Sequence, residues 1–455
     1  VTGIATAYMD SIPLVAITGQ VDTALLGRDS FQETDILDIT MPITKHNYKI
    51  KDARLLIPSI REAFEIALSG RRGPVLVDVP RDLFFAEVDY RAQGIKEKIP
   101  GQPDADFIIC AAEASEEILK AQRPVAIVGG GAISAGASKE IIEFIEKFNL
   151  PVVSTLMGIG AVPRSHPQNL GFAGMHGRKA ANHVIAAADL VIAIGSRFGD
   201  RQTGNVNKYT RSKKFIHIDI DPAEIDKNIA GSLGLAGNMQ VILKLLMRCE
   251  ASKPRVEWWQ QIDSWQEEYD YDYQVDRLTV PWAMNQVAKK TAGKNFAYAT
   301  DVGQHQMWAA LHLKIEEPRT WFTSGGLGTM GFGLPAAMGA TLGQDKPVVC
   351  IAGDGSFQMN IQELATCMDY KIPVKVLILD NGYLGMVRQF QEKSCDERYF
   401  ATKISNPDFV KLAQSYGAEG YRVEKLEDVK SALDKAFSTD KPVLIDFVVE
   451  PMEVL

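Results

Sequence analysis

Short apolar, β-branched runs alternate along this chain with longer stretches whose apolar positions return every three or four residues. That is the pattern of strands separated by helices in a parallel sheet. Leu14-Val15-Ala16-Ile17-Thr18 reads as a strand ending at Gly19. Over 54–69, Ile57, Ile60, Phe64, Ala67 and Leu68 fall on one helical face, which Arg71-Arg72-Gly73-Pro74 breaks. Val75-Leu76-Val77-Asp78-Val79 is the next strand, and Pro80 ends it. A turn-rich stretch over 93–105 (Gln93, Gly94, Pro100, Gly101, Pro103) reads as a linker. Beyond it, strands are expected at Val125–Val128, Val152–Thr155, Leu190–Ile194 and Phe215–Ile220. Residues 251–275, rich in Trp, Tyr, Asp and Glu, read as mixed linker and surface helix. Further strands are expected near 296–300, 348–352, 374–379 and 443–449. The expectation is an α/β protein with three consecutive parallel-sheet domains, over 1–92, 106–250 and 276–455.

Composition narrows the function classes. The 455 residues suit about three domains, and 46% hydrophobic with 23% charged residues is ordinary for buried cores. A net charge of −8 gives no basic footprint for nucleic acid. The five cysteines (Cys110, Cys249, Cys350, Cys367, Cys395) form no C-x-x-C pair, so neither zinc nor a disulfide framework is indicated. Reduced thiols in the cytoplasm are expected. No apolar run approaches the roughly 18 residues of a membrane helix. Val1-Thr2-Gly3-Ile4-Ala5 reads as a helix interior, and Pro451–Leu455 follows a strand without a polar tail. Both ends therefore read as cut.

Candidate chemistry concentrates in the third block. Val348-Val349-Cys350-Ile351 closes at Gly353-Asp354-Gly355, a helical pattern follows, and Val374–Leu379 ends in Asp380-Asn381. Asp354 and Asn381 stand 27 positions apart (381 − 354 = 27). Each is at the carboxyl end of an expected parallel strand, where ligands of open α/β sheets bind. Adjacent strands lie about 4.8 Å apart, so the two side chains suit one hard cation, and Mg²⁺ takes such oxygen ligands together with phosphate. Either half alone is more often a simple turn; the pair at this spacing resembles the thiamine diphosphate motif.

Further strings carry a resemblance. They are Gly19-Gln20-Val21, Phe31-Gln32-Glu33, Ile43-Thr44-Lys45-His46-Asn47, Gly73–Pro80, Gly174-Met175-His176-Gly177, Arg197–Gly204, Gly303–Trp308, Gly325–Gly331 and Gly385-Met386-Val387-Arg388-Gln389. Over essentially its whole length the chain resembles the catalytic subunit of acetolactate synthase, a thiamine-diphosphate enzyme. The resemblance implies a pyrimidine-binding domain, a central FAD-binding domain and a diphosphate-binding domain, in the order of the three blocks. It implies decarboxylating carboligation of two 2-keto acids, and Mg²⁺ held by Asp354, Asn381 and the Tyr383 carbonyl. Val302, Gly303, Gln304, His305, Gly328, Gly353, Gly355 and Ser356 are implied to hold the cofactor. Met330 is implied to sit beneath its bend, although a methionine there is otherwise ordinary core filler. Arg201 is the candidate fork for the acceptor's carboxylate, with a solvated surface arginine as the plainer reading. Phe31, Gln32, Arg81, Met175, Asp200, Met386 and Phe390 resemble channel residues.

For FAD the resemblance points to Arg71, Gly129, Gly130, Gly131, Thr155, Leu156, Arg197, Asp219, Ile220 and Gly237. The glycine run lacks the dinucleotide fingerprint spacing, and a bare strand-to-helix turn is its plainer reading. That missing fingerprint also removes a nicotinamide-dependent dehydrogenase. An FAD-free catabolic acetolactate synthase, glyoxylate carboligase and a degenerate scaffold remain the alternatives. The resemblance further implies a homodimer with active sites between chains, and a small regulatory subunit. The family's activating glutamate would precede Val1, so the 455-residue chain is expected to be a fragment that does not turn over by itself. Asp22, Ser30, Arg81 and Gly199 depart from frequent family residues (Pro, Ala, Lys and Asp).

Phe390 stands where the family commonly has Trp, which keeps an aromatic wall but loses the indole's area and N–H donor. It predicts weaker preference for 2-oxobutyrate over pyruvate as acceptor, and weaker sulfonylurea binding. A competition assay on the full-length enzyme checks this; strong 2-oxobutyrate preference contradicts it.

Overall fold

A computed structural model describes residues 1–89 and 105–455. The expected linker over 93–105 therefore lies, but for Ala105, outside the described residues. Three sheets form, and every strand pairing in them is parallel. They fall into two compact units, Val1–Ala105 with Gly325–Gly328, and Asp106–Ser324 with Thr329–Leu455.

The first unit holds β1 (Leu14–Gln20), β2 (His46–Lys49) and β3 (Pro74–Pro80), in the order β1-β3-β2. Only the central β3 is buried at every position, which is why it reads as a continuous apolar run. The helix Ala53–Leu68 packs on this sheet by only part of the expected face, Ile60 and Ala67. Phe64 and Leu68 are exposed, whereas Ala63 and Ala67 are buried and Leu56, Ile60 and Ile66 pack beside them. Small alanines let the helix approach the strands closely, so they take the inner face from the larger residues.

The second unit holds two six-stranded sheets. The middle one comprises β4 (Pro124–Val128), β5 (Val152–Ser154), β6 (Asn169–Phe172), β7 (Leu190–Ile194), β8 (Lys214–Asp219) and β9 (Leu233–Ala236), in the order β6-β5-β4-β7-β8-β9. The last comprises β10 (Ala297–Thr300), β11 (Trp321–Phe322), β12 (Val348–Gly353), β13 (Lys375–Asp380), β14 (Glu419–Val423) and β15 (Val443–Val448), in the order β11-β10-β12-β13-β15-β14. Ile159 and Phe172 of the middle block share one apolar core with Leu313, Ile315 and Trp321. The Trp321 indole N–H also donates to the Leu156 carbonyl at 3.1 Å. Residues 251–275 are more than a surface helix: in Val256–Glu268, Trp258 and Ile262 are buried in the middle block's core.

Two charged side chains sit inside the last sheet. Lys375 of β13 is buried and donates to the Thr439 and Lys441 carbonyls, both at 2.6 Å. Asp446 of β15 is buried and takes two bonds from Arg422, at 3.0 and 2.9 Å. Burial pushes the Asp446 carboxyl up from 3.8 to about 6, against the pull of Arg422. Between these values the unfolded chain has released this proton while the folded chain keeps it, so raising the pH favours unfolding. Asp446 is therefore predicted to lower stability as pH rises from about 4 to 6. Urea midpoints across that window check it: Asp446→Asn flattens the fall, and an unchanged slope contradicts the prediction.

Candidate active site

In the last sheet the chain leaves β10 for β11 on one side and returns to β12 on the other. This reversal between β10 and β12 is the topological switch point, and the crevice outside the strands' carboxyl ends is where such sheets bind ligands. The three loops there line one cavity open to solvent. Val302, Gly303, Gln304 and His305 come from the end of β10, Gly353, Asp354, Gly355 and Ser356 from β12, and Asn381, Tyr383, Leu384, Gly385 and Met386 from β13. Met330 lines it as well.

The strand–helix–strand reading of 348–381 holds, with one correction. The connection is not a single helix but a four-residue turn, Asp354–Phe357, and a second helix, Glu363–Asp369. In the pairing of β12 with β13, Gly353 lies opposite Leu379, so Asp354 and Asn381 leave neighbouring strands at one level. The Asp354 carboxylate is buried, 2% exposed. Its Oδ2 accepts from the Gly382 amide (2.8 Å) and the Asn406 side chain (2.7 Å), and its Oδ1 from the Gly355 amide (3.0 Å). Burial pushes its pKa up, and the neighbouring Asp380 adds to the push. A cation offsets both terms, because an opposite charge within reach favours the ionised form. Asn381 Oδ1 accepts from the Tyr383 amide at 3.0 Å, which fixes the loop carrying the Tyr383 carbonyl.

The His305 ring is hydrogen-bonded to the Asp301 backbone on one side only. It is 6% exposed and its Nε2 is buried without a partner. Burial lowers its pKa to about 3, so the imidazole is neutral. A buried, unpartnered nitrogen is costly, and in a cavity wall it marks a place for a polar ligand. Glycines make room for this ring. A Cβ at Gly353 would come 2.7 Å from His305 Nδ1, and one at Gly303 would come 2.9 Å from its Cε1. A Cβ at Gly385 would come 2.0 Å from Gln304 Oε1. Gln304 itself is committed to protein, donating to Gln389 (2.8 Å) and to the Glu453 carbonyl (3.1 Å). The orphaned His305 nitrogen, the oxygen donors of Asp354 and Asn381, and the side-chain-free loops fit a diphosphate with its cation.

Outside the cavity the helix Gly385–Ser394 extends the site. Met386 lines the cavity, and Phe390, one turn on, lies on the same helical face. The Arg201 guanidinium sits 5.6 Å above the Phe390 ring. Its other contacts are loose: Met175 Sδ at 3.6 Å and Asp200 at 4.0 Å, with about two thirds of the side chain exposed. Arg201, Met175, Asp200 and Phe390 are thus brought together from three parts of the sequence. Phe31, Gln32, Arg81 and Arg71 belong to the first unit, as does Gly328. There Phe31 is 89% exposed and Gln32 takes a left-handed backbone, φ 65°.

Apart from Arg71, the residues assigned to FAD sit at the carboxyl end of the middle sheet. Gly129, Gly130 and Gly131 follow β4, Thr155 and Leu156 follow β5, Asp219 and Ile220 end β8, and Gly237 follows β9. Arg197 lies in the loop after β7, and its carbonyl accepts from the Asn228 side chain at 2.8 Å. The glycine run has a packing reason of its own. A Cβ at Gly129 would lie 2.1 Å from the Gly195 carbonyl oxygen, and one at Gly131 would lie 2.8 Å from the Gly195 Cα.

Asn406 escaped the sequence reading. It bridges Asp354 and Asp380 from an irregular stretch far along the chain, and no motif or periodicity marks it.

Comparison with known proteins agrees with this geometry. Residues 301–447 match the C-terminal TPP-binding domain of thiamine pyrophosphate enzymes, and residues 111–246 match their central domain. The probable acetolactate synthase large subunit of Methanocaldococcus jannaschii is 41% identical, across 100% of this chain and 80% of its own length. The acetolactate synthase large subunit of Corynebacterium glutamicum is 44% identical, across 99% of this chain and 74% of its own. The isozyme 3 large subunit of Escherichia coli is 41% identical, across 100% and 82%. The chain belongs to the acetolactate synthase large-subunit family.

In this acetolactate synthase family member the TPP-binding match begins at Asp301, at the end of β10, and takes in all three cavity loops. The expectation that the third block carries thiamine diphosphate chemistry is borne out at that level. Gly353 tests the cavity wall at His305 directly, because an added methyl meets the His305 ring. Gly353→Ala is predicted to weaken thiamine diphosphate binding at least tenfold while the far-UV circular dichroism stays unchanged. Calorimetric titration measures it, and wild-type affinity in the variant contradicts the packing argument.

Proposed function

We propose that the full-length enzyme carrying this chain catalyses the decarboxylating joining of two 2-keto acids: pyruvate with pyruvate to 2-acetolactate and CO₂, or pyruvate with 2-oxobutyrate to 2-aceto-2-hydroxybutyrate. These are first common steps in making branched-chain amino acids. The observation that carries the reading is the Asp354–Asn381 pair at the ends of adjacent parallel strands, lining one cavity with the unpartnered Nε2 of His305. When bound, thiamine diphosphate supplies the electron sink that lets a 2-keto acid lose CO₂.

The protein's part is binding and placement. Asp354, Asn381 and the Tyr383 carbonyl are the proposed ligands of Mg²⁺, which neutralises part of the diphosphate's charge. With the diphosphate's negative charge beside it, His305 takes up a proton on Nε2 and donates to a phosphate oxygen, and the helix Gln304–His312 begins at the same loop, where its dipole favours an anion. Met330 is the apolar support beneath the cofactor. Met386 and Phe390 form an apolar wall, and Arg201 holds the acceptor's carboxylate. A guanidinium lying over an aromatic ring keeps its fork free for two parallel hydrogen bonds.

FAD is part of the proposal as a structural group, on the family resemblance and the strand-end position of its assigned residues; a flavin spectrum of the full-length protein tests it. So is a homodimer. The first unit leaves Phe31, Phe64, Leu68, Phe84 and Phe85 exposed, more apolar surface than an isolated domain usually shows. Relatives are named large subunits, which supports a smaller regulatory partner. The domain limits 1–92, 106–250 and 276–455 carry the three roles assigned above. All five cysteines are free thiols, which supports a reducing, cytoplasmic setting.

The reaction is tested by acetolactate formation from pyruvate in the full-length enzyme, which must depend on both thiamine diphosphate and Mg²⁺. For the acceptor site, losing a charge-assisted bond of about 1.5–3 kcal/mol corresponds to about 10–100-fold. Arg201→Ala is predicted to raise the KM for the keto acid by that factor and leave thiamine diphosphate affinity within about threefold, with Arg201→Lys between. Unchanged KM, or an equal loss of cofactor affinity, contradicts the assignment.

A further inference from the structure

The two carboxylates at the end of the last sheet share their donors. Asn406 Nδ2 lies 2.7 Å from Asp354 Oδ2 and 2.7 Å from Asp380 Oδ1. The Gly382 amide spans the same two oxygens, at 2.8 and 3.1 Å. The Asn406 amide is held in this sense by its other end, because Gln358 Nε2 donates to Asn406 Oδ1 at 3.0 Å and to the Asp354 carbonyl at 3.1 Å. A flipped Asn406 would set oxygen against oxygen at both carboxylates. The segment carrying Asn406 is also tied to the ligand loop. The Leu384 amide donates to the Thr402 carbonyl at 2.7 Å, the Ile404 amide donates to the Gly382 carbonyl at 3.0 Å, and Tyr383 pairs with Lys403 in an antiparallel bridge.

The lone pairs of Asp354 divide unevenly as a result. Oδ2 takes two donors, which fills its acceptor capacity, while Oδ1 takes only the Gly355 amide at 3.0 Å. One lone pair is left, on one oxygen. We propose that Asn406, locked by Gln358, is a positioning residue for the cation: it fixes the Asp354 carboxylate so that Oδ1 is the oxygen left for the ion. This rests on the reading that Asp354 and Asn381 hold a divalent cation. Without the clamp the Asp354 carboxylate turns freely about its last torsion, and the two like charges at Asp354 and Asp380 lose their common donor. Groups that orient metal ligands in this way are typically worth about 10–100-fold in metal affinity.

The test is Mn²⁺ binding to the full chain with saturating thiamine diphosphate, followed by electron paramagnetic resonance of free Mn²⁺, which needs no turnover. Asp354→Ala is the control and is expected to weaken binding more than 100-fold. Asn406→Ala is expected to weaken it about 10–100-fold, and Gln358→Ala, which leaves Asn406 in place, several-fold. Both variants should keep the wild-type circular dichroism. If Asp354→Ala loses the ion while Asn406→Ala and Gln358→Ala both bind it like wild type, the clamp is overturned and the site stands. If Asp354→Ala binds Mn²⁺ like wild type, the cation site itself is wrong, and the clamp falls with it. Should Asn406→Ala fail to fold, Gln358→Ala decides: wild-type affinity there overturns the proposal.

Discussion

A buried carboxylate is the constraint around which this end of the molecule is organised. Asp354 is taken out of water at the tip of β12, beside a second carboxylate, Asp380, at the tip of β13. An unpaired buried charge is among the costliest groups a fold can carry. Two backbone amides and one side-chain amide offset part of that cost, and the proposed cation would offset more. The parallel pairing of β12 and β13 creates the arrangement, since it delivers both strand ends to one level without any contact between their side chains being needed beforehand.

The neighbouring glycines follow from the same constraint. Gly303, Gly353 and Gly385 each occupy a position where a methyl group would strike His305 or Gln304, so the wall is built from backbone and the rings and amides behind it. The glycines after β4 look alike in sequence and answer to another cause. Gly129 and Gly131 are small because the Gly195 backbone passes against them. Sequence spacing separates the two cases poorly, because both are glycine-bearing turns after a strand; only the identity of the nearest atom tells a ligand cradle from a packing contact.

What the sequence disclosed, and what it hid, follows burial. The central strands β3, β4, β7, β12, β13 and β15 are enclosed on both faces and read as continuous apolar runs. The strands that went unread, β2, β6, β9, β11 and β14, all lie at sheet edges. They are short, as in Leu233-Gly234-Leu235-Ala236, or partly polar, as in His46-Asn47-Tyr48-Lys49, so periodicity is faint there. On the helix Ala53–Leu68 two of the large residues mark the wrong face, because alanines fit against the sheet more closely than Phe64 or Leu68. At the site, Asp354 and Asn381 were legible because strand, turn and strand place them locally. Arg201 and Phe390 were legible as residues but not as a pair, since only the folded unit sets the guanidinium over the ring. Asn406 was invisible: an asparagine in an irregular stretch carries no pattern, and its meaning comes from the two carboxylates it reaches.

The central claim is that the ends of β12 and β13 hold a divalent cation and a diphosphate together. Its most direct test is the anomalous scattering of Mn²⁺ in crystals grown with thiamine diphosphate. One Mn²⁺ peak is expected within coordination distance of Asp354 Oδ1, Asn381 Oδ1 and the Tyr383 carbonyl, with phosphate density reaching His305. A cofactor bound with its diphosphate elsewhere, or a Mn²⁺ peak away from Asp354, contradicts it.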